Sequence, residues 1–366
     1  MNTRRQFIRQ TIGSMAALAV ASESFPHILI PKQKTRLGIA LVGLGYYSTD
    51  LLAPALKETK HCYLAGIVTG SPEKAERWKQ QHNIPDKNIY NYQNFDQIAN
   101  NPDIDVVYVV LPPSMHAEYV IRAANAGKHV WCEKPMAMTV KECQSMIDAC
   151  KKNKVSLAIG YRMQHEPNTQ KIIQFGKEKK YGKIIKVTAA AGYFDGRTNH
   201  WKQIKSLGGG SMYDMGVYPL NAARYSTGEE PVYVTAQQST TRPEIYKEVD
   251  ETMKFQLEFP SGATAECETS FGKNMNSLLV NAANGWYKLE PFSAYNGVQG
   301  ETSDGIKLPP AITRVPGEQI KQMDDDALAI LNKQPMLAPG EEGLKDIRVV
   351  EAVYRSVREN SRVKIS

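Results

Sequence analysis

From Leu37 onward the chain alternates short apolar runs with amphipathic stretches, and this alternation restricts the fold more than any other feature. Leu37–Val42 reads as a buried strand and Ser48–Lys57 as a helix. Leu64–Thr69 reads as a second strand, and Pro72–His82 as the helix after it. Val106–Leu111 repeats the pattern with a helix over Met115–Ala126. His129–Cys132, a helix over Val140–Lys151 and Val155–Ile159 close the series. Strands buried on both faces and joined by helices require right-handed crossovers and a parallel sheet.

After about Tyr181 the period changes. Ile185, Val187, Ala189 and Ala191 alternate with their neighbours, as do Met253, Phe255, Leu257 and Phe259 before a Pro260-Ser261-Gly262 turn. Such alternation belongs to half-buried strands of an antiparallel or mixed sheet. A helix between Met212 and Tyr225 interrupts them, and helices near Gln319–Asn332 and Leu344–Glu359 finish the chain. The expected class is α/β: a Rossmann-type nucleotide-binding domain over residues 36–160 and an α+β domain with a large, mostly antiparallel sheet over residues 161–366.

The 366 residues are 42% hydrophobic, which suits about two globular domains. The net charge is +7, but Arg4, Arg5 and Arg9 lie in an acid-free N-terminal segment. Without residues 1–21 the balance is 42 basic against 38 acidic residues, too even to call for a nucleic-acid partner. The five cysteines form no C-x-x-C pair and no zinc spacing, and an odd count leaves one unpaired. They read as small buried hydrophobes, and no metal site is expected.

The N-terminus carries Thr3-Arg4-Arg5-Gln6-Phe7, a weakly apolar stretch Ile12–Ala21 and a small-x-small motif Ala19-Val20-Ala21. This is the pattern of a twin-arginine export signal, with residues 1–21 removed and a periplasmic product that has no membrane attachment. Residues 22–35, with Pro26 and Pro31, read as a non-helical arm.

Gly43-Leu44-Gly45-Tyr46-Tyr47-Ser48 lies where the first strand turns into the first helix. The first glycine permits a tight turn, the second lets a pyrophosphate approach, and the helix N-terminus offers N–H groups. Ser48 stands at the usual third Gly or Ala. The second strand ends Val68-Thr69-Gly70-Ser71, without the acid that binds a ribose 2′-OH, and Lys74 and Arg77 follow. Hydroxyls and cations suit a 2′-phosphate, so NADP is expected, with NAD as the alternative. Glu133-Lys134-Pro135 follows the strand His129–Cys132, at the carboxyl edge where such sheets bind ligands.

Gly43-Leu44-Gly45, Leu111-Pro112-Pro113-Ser114-Met115-His116, Ala126-Gly127-Lys128-His129-Val130 and Cys132-Glu133-Lys134-Pro135 together resemble the glucose–fructose oxidoreductase/inositol dehydrogenase (Gfo/Idh/MocA) family. Ile159-Gly160-Tyr161-Arg162, Gly208-Gly209-Gly210-Ser211, Asp214-Met215-Gly216-Val217-Tyr218 and Pro339-Gly340-Glu341-Glu342-Gly343 extend the similarity, which is nearest the glucose–fructose oxidoreductase branch. The resemblance implies hydride transfer between a nicotinamide and a sugar or polyol carbon, in a homo-oligomer of two or four chains. Its catalytic set would be Lys134, Asp214 and Tyr218, with Lys134 polarising the sugar oxygen, Asp214 orienting the sugar and Tyr218 taking the proton. Asp214 and Tyr218 share a helix face at four-residue spacing. A phenol ordinarily titrates near 10, so this base needs the cations that Lys134 and an oxidised nicotinamide provide.

The resemblance also places Tyr161 and Arg162 at the mouth of the site, the tyrosine face on a sugar ring and the arginine on hydroxyls or the nicotinamide. Trp201 and Lys202 match a Trp-Arg pair near the substrate, with lysine losing the arginine fork. The nucleotide would lie against Gly43, Leu44, Gly45, Tyr46, Tyr47, Thr69, Ser71, Lys74, Leu111, Pro112, Ser114, His116, Glu133, Lys134 and Arg162. The glycine run Gly208–Gly210 would allow close approach to a ligand. Two enzymatic outcomes remain open: transhydrogenation between sugars with a retained nucleotide, and an ordinary dehydrogenase or reductase with an exchangeable one. Redox-assisted glycoside cleavage fits less well because Glu-Lys-Pro is present. A non-catalytic nucleotide-binding protein would not need Lys134, Asp214 and Tyr218.

Overall fold

The computed structural model describes residues 34–366; the twin-arginine segment, its cleavage motif and all but the end of the arm lie outside the described residues. The first sheet consists of β1 (Leu37–Val42), β2 (Cys62–Val68), β3 (Ile89–Tyr90), β4 (Val106–Val109), β5 (His129–Cys132) and β6 (Leu157–Ile159). Its order is β3-β2-β1-β4-β5-β6 and every pairing is parallel. The order reverses between β1 and β4, which opens a crevice at the carboxyl ends of these strands. Every residue of β1 and β4 is buried, as their unbroken apolar runs require.

The second sheet follows the alternating segments: β7 (Ile184–Gly192), β8 (Tyr233–Ser239), β9 (Thr252–Glu258), β10 (Thr264–Ser270), β11 (Met275–Ala282), β12 (Gly285–Leu289), β13 (Gly300–Thr302), β14 (Lys307–Leu308) and β15 (Val363–Lys364). It is antiparallel except where β10 pairs parallel with β7. Met253, Phe255 and Leu257 face a buried side, covered by helices Val217–Thr227 and Gly340–Glu359, while Lys254 and Gln256 face out.

The division at residue 160 separates the two sheets but not the two cores. Helix Gly317–Leu331 returns to the first sheet, where Met323 and Ala327 pack with Leu37, Ile39 and Trp78. Ala338 then accepts a hydrogen bond from Ile159 N at 2.8 Å, which binds the segment before the last helix to β6. All five cysteines are free and buried. Among the described residues no helix is long and apolar enough to cross a membrane.

Candidate active site

β1 is followed by Gly43, whose φ of +90° and contact with the Val110 carbonyl leave no room for a side chain. Gly45 differs: a Cβ there would meet nothing within 4 Å, so the backbone lies open to the crevice. A wide π-type turn over Tyr47–Leu52 then continues as helix Ala53–Leu56. The N–H groups that open a helix lack intrahelical acceptors, and here they sit at the open glycine loop. Ser48 is fully buried and donates to the Gly43 carbonyl at 2.6 Å, which accounts for a serine at the third motif position. Tyr46 is exposed. Tyr47 turns its hydroxyl inward, where Gln319 Nε2 donates to it at 3.4 Å. This open cradle, Leu44 included, fits a dinucleotide pyrophosphate.

Thr69 closes β2, and its hydroxyl accepts from Ser71 N at 3.2 Å. Ser71 caps helix Pro72–His82 by accepting from Lys74 N. The Lys74 ammonium reaches back to 3.4 Å from the Leu44 carbonyl, beside the glycine loop. No carboxylate stands in the stretch Thr69–Ser71. On the opposite side of the crevice, Leu111 and Pro112 lead from β4 into helix Pro113–Asn125, with Ser114 in its first turn. His116 is buried, and its ring nitrogens lie 2.8 Å from Leu111 O and 2.9 Å from Pro135 O. It clamps the two loops that flank Lys134. Burial lowers its pKa, against the pull of the carbonyls of Leu111, Pro135 and Met136.

Glu133 is buried at the end of β5. It accepts from Tyr108 OH at 2.7 Å and from Lys134 N at 3.3 Å. Burial raises its pKa, and the Tyr108 hydrogen bond and Lys134 offset this in part. A Cβ on Gly160 would come within 2.7 Å of Glu133 Oε1, so the glycine before Tyr161 makes room for this carboxylate.

Lys134 Nζ donates to the Asp214 carbonyl at 2.6 Å and to Asp214 Oδ1 at 3.2 Å. An ammonium has three N–H donors, so one remains for a substrate oxygen. Lys202 Nζ holds the other carboxylate oxygen of Asp214 at 2.6 Å and lies 3.0 Å from Tyr193 OH. Burial opposes the Lys134 charge, yet Asp214, with Tyr218 and Glu133, outweighs it and holds the pKa above the ordinary value. Burial would likewise raise Asp214, but Lys134 and Lys202 hold its carboxyl well below the usual range. The Tyr218 ring lies 5.1 Å from Lys134 Nζ and 5.4 Å from the Arg162 guanidinium. Among the described residues its hydroxyl has no hydrogen-bonding partner.

Asp214 lies in a second π-type turn, Met212–Gly216, which runs into helix Val217–Thr227. Such turns re-aim side chains and recur at functional sites. Lys134, Asp214, Tyr218 and Lys202 therefore meet as the sequence leads one to expect. The Asp214 oxygens hold both lysines and so anchor them in the site.

Other expectations need correction. Tyr161 is only 5% exposed, and its hydroxyl lies beside Asp346, so its ring offers no face to a sugar. Arg162 is 4% exposed; it pairs with Glu318 and donates to the carbonyls of Ser293 at 2.6 Å and Ala294 at 2.7 Å. It braces Tyr218 from behind and has no path to sugar hydroxyls. Trp201 is half-buried beside Lys202. The Gly208–Gly210 run admits neighbouring protein: a Cβ would strike Pro113, the Lys202 carbonyl and Asp250 in turn.

No motif or spacing in the sequence points to Tyr193 or Tyr295. Tyr193 donates to Asp214 Oδ2 at 3.3 Å, and Arg197 Nη2 lies 3.2 Å from its hydroxyl. Tyr295 stacks on Arg162 at 4.7 Å. Neither sits in a recognisable spacing with Lys134.

Residues 37–161 match the family model described as the oxidoreductase family with an NAD-binding Rossmann fold, and residues 169–288 match the GFO/IDH/MocA C-terminal domain. The solved aldose-aldose oxidoreductase from Caulobacter crescentus is 42% identical, with a TM-score of 0.85 over 90% of this chain and 99% of that one. The D-xylose 1-dehydrogenase [NADP(+)] of Haloarcula marismortui is 28% identical over 338 residues, 89% of this chain and 92% of that protein. A levoglucosan dehydrogenase solved with NADH and L-sorbose shares the fold at 21% identity, with a TM-score of 0.80 over 91% of this chain and 99% of its own. The chain belongs to the Gfo/Idh/MocA family and is an NAD(P)-dependent oxidoreductase acting on the CH–OH groups of sugars.

Proposed function

We propose that the enzyme is an NADP-preferring aldose oxidoreductase that couples oxidation of one sugar to reduction of another while keeping its nucleotide. The observation that carries the sugar chemistry is the Lys134 ammonium, fixed by Asp214 and set over the Tyr218 ring. The bound nicotinamide supplies the hydride acceptor. Lys134 donates its remaining N–H to the sugar oxygen, favouring loss of the hydroxyl proton. Tyr218, deprotonated before the step, takes that proton during oxidation and returns it during reduction. Lys202 fixes the far side of Asp214 and has a further donor for a neighbouring sugar hydroxyl. Oxidation at aldose C1 yields a lactone, and reduction of a second sugar yields an alditol.

The transhydrogenase reading is supported by the likeness to the Caulobacter aldose-aldose oxidoreductase. Its test is exhaustive dialysis followed by addition of aldose without nucleotide. Lactone and alditol should form in equal amounts. Activity that returns only with added NADP identifies an ordinary dehydrogenase instead.

The NADP preference rests on Thr69, Ser71 and the Lys74 ammonium beside the glycine loop. Thr69→Asp would set a carboxylate where a 2′-phosphate must sit and give a ribose 2′-OH an acceptor. The ratio of kcat/KM for NADP over NAD should fall by at least ~10-fold, the scale of one charge-assisted contact. A parental protein that already prefers NAD would refute this assignment.

A further inference from the structure

The turn that carries Asp214 is held from outside the active site. Asp250, in the loop before β9, is 2% exposed. Its Oδ2 accepts from Ser211 Oγ at 2.7 Å and from Met212 N at 2.8 Å, and its carbonyl accepts from Ser211 N at 3.0 Å. Its Oδ1 accepts from Tyr354 OH at 2.6 Å, from the middle of helix Gly340–Glu359. Gly210, at φ +109°, is the residue that lets Asp250 in: a Cβ there would lie 2.5 Å from Oδ1. Thr269 Oγ1 donates to the Ser211 carbonyl at 3.2 Å and fixes the same residue from β10.

These contacts converge on Ser211 and Met212, where the π-type turn begins. The turn matters because Lys134 bonds the main-chain carbonyl of Asp214 as well as its side chain. A small rotation of the turn would move both acceptors together. Misplacement of about 1 Å is enough to cost ~100-fold in rate at a positioned group.

We propose that Asp250, latched by Tyr354, is a positioning residue that sets the Asp214 turn and through it the direction of the Lys134 ammonium. The inference rests on the reading of Lys134 and Asp214 as site groups. Among the described residues Asp250 makes no hydrogen bond to Lys134, Lys202, Tyr218 or the glycine loop, so its influence passes through the turn.

The test compares variants of the full chain by steady-state kinetics and by nucleotide titration of protein fluorescence. Asp250→Ala removes every side-chain acceptor and should lower kcat by ~10–100-fold with nucleotide affinity unchanged. Asp250→Asn keeps an acceptor toward Ser211 and Met212 and offers N–H to the Tyr354 oxygen. It should restore kcat to within ~3-fold of the parent. A folded Asp250→Ala protein with parental kcat overturns the latch, as does an Asn variant as impaired as the Ala variant. If Asp250→Ala fails to fold, Tyr354→Phe decides: it preserves volume, removes one hydrogen bond and should lower kcat by ~3–10-fold. Parental kcat there overturns the inference. Asp214→Asn separates the two levels. Parental turnover in that variant overturns the site reading together with the latch, whereas an inactive Asp214→Asn beside fully active Asp250 and Tyr354 variants overturns the latch alone.

Discussion

Lys134→Ala and Tyr218→Phe should each lower kcat by at least ~100-fold, the scale of a positioned proton donor or acceptor. The reason is local. Lys134 spends two donors on Asp214, lies over the Tyr218 ring and keeps a third donor for a substrate oxygen. Alanine removes that donor and leaves Asp214 to Lys202 and Tyr193. Phenylalanine keeps the Tyr218 ring against Arg162 and Lys134 but removes the hydroxyl, so folding and nucleotide affinity should hold. Nucleotide titration and steady-state kinetics check both. Near-parental turnover in Tyr218→Phe would take this residue out of the mechanism.

Asp326→Asn should make the protein more stable at neutral pH, by up to about 3 kcal/mol, with the gain vanishing near pH 4. Asp326 is 1% exposed, and both its carboxylate oxygens lack hydrogen-bond partners among the described residues. Burial pushes its pKa up to about 6 and Asp325 adds to this, while His165, 3.9 Å away, opposes it. An unfolded aspartate titrates near 4. The folded state therefore holds this proton more tightly than the unfolded chain does. Below pH 4 both states are protonated and the group has no effect. As pH rises toward 6 the unfolded state ionises first, and the buried carboxyl becomes a liability that stays constant above pH 6. Asparagine never ionises, so parent and variant melting temperatures should coincide near pH 4 and separate by several degrees at pH 7. A separation independent of pH, or none at pH 7, would contradict this.

The polar face that carries Asp326 also marks a limit of the sequence. Glu318, Gln319, Gln322 and Asp326 are all buried on helix Gly317–Leu331. Polar residues at this spacing read as a solvated face, because burial of such groups is costly. They are buried because the helix returns across the first sheet, which nothing local to residues 317–331 encodes. The first sheet itself was legible: β1, β5 and helix Pro72–His82 have the bounds their apolar runs imply. β3 is two residues long, too short for a period. In the site, Lys134, Asp214, Tyr218 and Lys202 were legible through motifs. Tyr193 and Tyr295 were not, since each reaches the site from a separate element. Tyr161 and Arg162 were legible as a motif but not as a location. The burial of Arg162 follows from Glu318, Ser293 and Ala294, more than 130 residues away in sequence, and Tyr161 lies beside Asp346, likewise remote.

The central claim is that a sugar CH–OH carbon yields its hydride at the Lys134–Tyr218 site, and isotope transfer tests it most directly. Purified protein would be given an aldose deuterated at C1 together with NADP, and the nucleotide and sugar would be analysed by mass spectrometry. The account predicts that no deuterium remains at C1 of the lactone, and that the transferred deuterium is found on the reduced nicotinamide or, once passed to a second aldose, as a second deuterium at C1 of the alditol. Deuterium that appears in solvent, or an aldose that keeps its deuterium with no lactone formed, would contradict it.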